Sequence, residues 1–124
     1  MKDLGQFFKS IIDQDKAPVV ICDLDNVVVY MNKAAAIHYA SNGGYDIVGH
    51  SLLDCHNENS AALIHKVVEF FKEDKNNNII HTFINRKEEK DVYMVALRDD
   101  EGELIGYYEK HEFRSFDDEP LYNI

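Results

Sequence analysis

The sequence predicts an α+β domain, a mostly antiparallel sheet with helices gathered on one face. Strand-like runs rich in β-branched residues form one hairpin before a helical middle and a second set of runs after it. The middle changes to alanine-rich and amphipathic segments with capped starts. The length of 124 residues suits one domain. A chain of that size buries about two-thirds of its unfolded surface, enough for a core without metal or disulfide staples.

The elements follow in order. Leu4 to Asp13 is an amphipathic helix with Leu4, Phe7, Phe8, Ile11 and Ile12 on one stripe. A helix that short is marginal alone and needs a surface to pack on. Pro18 ends the linker after it. Val19-Val20-Ile21-Cys22 and Val27-Val28-Val29-Tyr30-Met31 are strands joined by a turn at Leu24-Asp25-Asn26. Asn32 caps an alanine-rich helix running to Ala40.

Ser51 to Ser60 leads into the long helix, Ala61 to Lys72, with Asn57, Asn59 or Ser60 available as its cap. Ile64, Val67, Val68 and Phe71 form its apolar stripe, and His65 lies about 100° around from Ile64. Ile79 to Ile84, Val92 to Leu97 and Leu104 to Phe113 are the last strands. The expected core is Val20, Cys22, Val28, Tyr30, Ile64, Val68, Phe71, Phe83, Val95 and Leu97. Tyr107, Glu109 and His111 share one face of the last strand by alternation. That face meets either the pocket, which would place an ionisable pair inside it, or solvent; the alternation does not decide between them, and the rarity of buried charge favours solvent.

Bulk chemistry narrows the function. The net charge is -10, and no basic run exceeds Arg86-Lys87, which argues against a nucleic-acid surface. Cys22 and Cys55 are too few for a disulfide scaffold. The N-terminus has no signal-peptide h-region, and no apolar run approaches the roughly 20 residues that span a bilayer. The expected location is therefore the cytoplasm.

Several local patterns together resemble the PAS domain family. Tyr30-Met31-Asn32 is similar to the aromatic-x-Asn that starts the first PAS helix. Gly44-Tyr45-Asp46-Ile47-Val48-Gly49-His50-Ser51-Leu52 resembles the stretch before the long PAS helix. Gly102 to Gly106 resembles the glycine-flanked turn into the final strand. Leu53-Asp54-Cys55-His56 is similar to a Cys-His loop in PAS modules appended to hemerythrin-like bacterial proteins. The resemblance covers about Phe7 to Arg114. It implies a PAS-like α+β fold, a five-stranded antiparallel sheet with helices packed on one face. The organisation expected is a flanking helix at 1–15, the PAS domain at 16–114 and an acidic tail at 115–124.

The resemblance also implies a stand-alone bacterial sensor without catalysis of its own, binding a small ligand or a partner protein. Output is expected in trans, because the chain ends soon after the last strand. Pairing through the leading helix implies a homodimer. Heme-sensing members carry an iron-ligating histidine on the long helix, where His65 stands, with His56, His81 and His111 as further candidates. The photosensor motif Gly-x-Asn-Cys-Arg is not matched: Cys55 falls three residues too late after Gly49. A thiol adduct with flavin is therefore not expected, and non-covalent flavin ranks below heme.

Cys55 beside His56 also suggests a redox thiol, against the plainer reading of a loop that caps the helix. The expected pocket lies between the long helix and the sheet, walled by Ile64, His65 and Val68, with Cys55 and His56 in the loop at its mouth. The competing class is a small α+β enzyme, isomerase-like or dehydratase-like, with an acid-base pair in an apolar cavity.

Overall fold

The computed structural model describes residues 2–114 and 120–124. Helix α1 spans Leu4–Gln14, strands β1 and β2 span Val19–Asp23 and Val28–Met31, and helix α2 spans Lys33–His38. Short 3-10 turns lead to α3, Glu58–Glu73, and the chain continues through β3 (Ile79–Asn85), β4 (Lys90–Arg98) and β5 (Leu104–Phe113). The strands form one antiparallel sheet in the order β2-β1-β5-β4-β3. The tail expected at 115–124 falls in part on residues 115–119, outside the described residues. Among the described residues no helix is long and apolar enough to cross a membrane.

Polar side chains fix the elements relative to one another. Asn32 is almost fully buried, and its Oδ1 accepts from Ala35 N at 3.0 Å and from Val19 N at 3.0 Å. Its Nδ2 donates to the carbonyls of Ile12 and Ala17, each at 3.0 Å. The helix cap read from the sequence therefore also ties α1 and the linker to β1. Asn57 is the cap of α3, with Oδ1 accepting from Ser60 N at 2.8 Å, so the helix starts earlier than the apolar stripe indicates.

Arg98 holds the other end of α3. Its Nη2 donates to the carbonyls of Phe71 at 2.7 Å and Asp74 at 3.2 Å, and its Nε donates to Asn78 Oδ1 at 2.7 Å. These bonds satisfy helix-end carbonyls that have no partner within the helix. Gly106 marks where β1 crosses β5: a Cβ there would stand 2.2 Å from the Cys22 carbonyl oxygen.

The core lies between the sheet and the α2–α3 layer. Val20, Cys22, Val28, Ile64, Val68 and Phe71 are buried as expected, joined by Leu52, Met31, Met94 and Tyr107. Tyr30, Val95 and Leu97 do not belong to it. They stand half-buried on the opposite face, because β4 pairs Met94 with Glu109 and Ala96 with Tyr107, turning Val95 and Leu97 outward. The Tyr30 hydroxyl donates to Asp13 of α1 instead. Phe83 is 58% exposed: β3 is an edge strand, bulged between His81 and Phe83. The solvent assignment of Tyr107, Glu109 and His111 is also overturned, since all are buried on the inner face.

Candidate functional site: a polar-ended cavity

A cavity of ≈ 330 Å³ lies between the first turns of α3, the end of α2 and the inner face of β3–β5. Ile64, Leu63, Val92 and Met94 supply its apolar wall. The strand period brings Glu109 and His111 to the same wall from β5, and Lys90 from β4. His38 and Tyr39 enter from α2 and its cap, and His56 from the loop before α3.

The polar groups are linked. The Tyr39 hydroxyl donates to Glu109 Oε1 at 3.2 Å, and His111 Nε2 stands 3.5 Å from the same oxygen. At that distance the contact is longer than a normal hydrogen bond. His38 meets His111 edge-on, with ring centroids 5.0 Å apart. Lys90 Nζ reaches Glu88 Oε2 at 2.6 Å. His111 Nδ1 is buried and has no hydrogen-bond partner among the described residues.

Burial pushes the Glu109 carboxyl up, but His111, the charge of His56 and the Tyr39 hydroxyl outweigh it and hold the group below its ordinary range. Burial, with Glu109 adding to it, pushes the Tyr39 phenol far up. Burial, then the charges of Lys90 and His111, lowers His38. The site thus holds an ionised carboxylate beside a neutral hydrogen-bond donor.

The expected site residues separate. His56 and Ile64 line the cavity. Val68 is buried in the core one helical turn beyond the lining. His65 is exposed and outside the lining, so a heme in this cavity would not meet it. Among the described residues no group of three or more His, Cys, Asp or Glu is placed to hold a metal ion. His81 is on the other face, 2.7 Å from Asp91 and stacked on Tyr93.

Cys55 is half-buried, packed against the core, and its thiol is pushed up by burial and then by Asp54. His56 does not activate it through Nδ1, which is 2.8 Å from the Leu52 carbonyl oxygen. Sequence reasoning missed Tyr39, Glu109 and His111 as a set. The available signal was their period with Tyr107, whose bulk marks the inward face.

The sequence matches the family described as PAS fold over residues 12–110. The chain belongs to the PAS-fold family. Members are generally sensory rather than enzymatic. Among solved structures, a PAS domain from Colwellia psychrerythraea shares 13% identity with a TM-score of 0.67, covering 90% of this chain and 98% of that one. A sensory box sensor histidine kinase from Vibrio cholerae shares 12% identity at 0.63, covering 91% and 94%. VqmA bound to DPO shares 15% at 0.56, covering 91% and 58%. At these identities the likeness is one of fold. Among curated proteins no sequence match is found.

Proposed function

We propose that this PAS domain is a sensory module that holds a small molecule in the cavity beside α3 and reports its occupancy to another protein in trans. The observation that carries the reading is His111, 5% exposed, on the cavity wall, with Nδ1 unpartnered. Native cores leave few such groups, each at a cost of about 1–3 kcal/mol. A ligand that supplies the missing hydrogen bond recovers that cost. The volume of ≈ 330 Å³ suits a compact metabolite. The fold's capacity to hold one is supported by VqmA, a structural neighbour bound to DPO.

Native mass spectrometry after incubation with a small-molecule cell extract tests the reading. The expected result is a non-covalent adduct on the wild-type protein that is lost in Met94→Trp, which fills the cavity. Ile64→Phe is the milder filler should Met94→Trp misfold. An adduct retained by the filled variants, or no adduct on the wild type, overturns the proposal.

A second reading concerns assembly, and α1 favours it. Leu4, Phe7, Phe8 and Ile11 are all exposed, and no residue of α1 is buried. A groove runs between this helix and the outer sheet face at Ile21, Leu97 and Tyr108. The proposed occupant is a second copy of the chain, because stripe and groove lie side by side and can exchange across a two-fold axis. Phe8→Glu then yields a folded monomer in sedimentation, whereas a wild-type monomer at high concentration removes the homodimer.

A further inference from the structure

We propose, on the reading that the cavity holds a small molecule, that its ligand is a hydrogen-bond donor: a compact apolar body whose head presents N–H or O–H to Glu109, His111 and His56. Glu109 accepts through Oε1 from Tyr39, and its Oε2 receives no hydrogen bond among the described residues. A carboxylate only accepts, so the His111 nitrogen facing it, Nε2, carries a proton. In the neutral ring the orphaned Nδ1 is then an acceptor.

His56 follows the same logic. Its Nδ1 faces the Leu52 carbonyl oxygen at 2.8 Å and must donate to it, which leaves Nε2 of the neutral ring as an acceptor. Its ring lies 6.4 Å from that of Tyr39, whose hydroxyl donates to Glu109, so the three side chains border one end of the cavity. Glu109, His111 and His56 thus offer acceptors to the cavity, while the Tyr39 hydroxyl is already given to Glu109 and the Thr82 hydroxyl, also on the lining, to the Val92 carbonyl.

Lys90 does not reverse this. Its ammonium is held by Glu88 at 2.6 Å. It pairs with Phe113 on the sheet, two residues from Val92 opposite His111 and four from Met94 opposite Glu109, or about 7 and 13 Å along β4. A ligand carboxylate at the cluster would add acceptors to acceptors beside an ionised Glu109.

The test is an amide-resolved NMR titration with three probes of similar body: benzamide, a neutral donor; 2-phenylethylamine, a cationic donor; and phenylacetate, an acceptor. Both donors are expected to shift the amides of Tyr39, Glu109 and His111 saturably, and phenylacetate to bind at least about tenfold more weakly. Glu109→Gln should weaken both donors by about tenfold. His56→Leu carries the same test if that variant does not fold. Agreement between benzamide and the amine excludes simple attraction of a cation to an acidic protein. Phenylacetate binding in the cavity as tightly as the donors overturns the donor proposal while leaving the ligand reading in place. No probe shifting any cavity amide removes the ligand reading, and this one with it.

Discussion

Tyr107 and His111 sit on the same face of the same strand, four residues apart, yet their surroundings differ in kind. Tyr107 lies in the closed half of the domain, where Leu52, Phe71, Val20 and Cys22 are buried around it and its hydroxyl donates to Asn26 Oδ1 at 2.8 Å. Asn26 holds a left-handed turn conformation with φ 64°, so one hydrogen bond secures both the core and the β1–β2 turn. His111 lies in the open half, on the cavity wall, where a buried nitrogen has no partner among the described residues. A polar group that is fully satisfied serves the fold, and one left without a partner calls for a separate explanation, here the proposed ligand.

Mutation separates the two halves. The largest effect is expected in the closed half: Phe71→Ala should cost about 3–5 kcal/mol of stability by denaturant unfolding. A value near 1 kcal/mol would show that this half is not tightly packed. Tyr107→Phe should cost about 1–3 kcal/mol, because Asn26 Oδ1 loses its donor in a buried site.

A smaller, directional contrast appears with pH. Burial pushes the Cys22 thiol up to about 12. A group raised by folding contributes stability that is whole below its unfolded value, 9.0, and is lost as the pH rises toward the folded value. His38 and Glu109 are lowered from 6.5 and 4.5, so their contributions are present above those values and are lost as the pH falls below them. Melting temperature against pH should therefore show an alkaline decline that Cys22→Ala flattens. It should also show an acid decline beginning below 6.5 that His38→Gln flattens. The opposite assignment of the two arms would remove the contrast. The smallest effect is expected from His111→Leu: losing the orphaned nitrogen gains stability, leaving buried Glu109 without its imidazole neighbour costs it, and the two should offset to less than about 1 kcal/mol. A loss as large as that for Tyr107→Phe would mean that the open half supports the fold no less than the closed one does.

The order of elements and the family resemblance were legible because turns, caps and β-branched runs are local chemistry. The Asn32 cap and the glycine at 106 both stand where the residues pointed, although their longer reach was not visible. Strand β4 was not legible in phase: Val92 to Leu97 is apolar at every position, so alternation carries no information, and only pairing with β5 decides that Met94 turns inward. Glu109 and His111 were misplaced for the opposite reason. Their polarity argued for solvent, and what overrides it is mutual pairing together with the Tyr39 hydroxyl, a residue 70 positions away. His65 shows how much a single step matters on a helix: about 100° separates it from Ile64, and that step carries it out of the cavity.

The clasp formed by Arg98 at the end of α3 has a mechanical consequence. The cavity is lined by Ser60, Leu63 and Ile64 near the start of that helix, while the guanidinium grips the carbonyls of Phe71 and Asp74 at its finish. A helix of 16 residues is about 24 Å long, so pivoting it by about 5° around the gripped end swings the other by about 2 Å. Any motion of α3 would therefore pivot about the closed half, with the larger displacement at the cavity end and the smaller one at the core around Phe71.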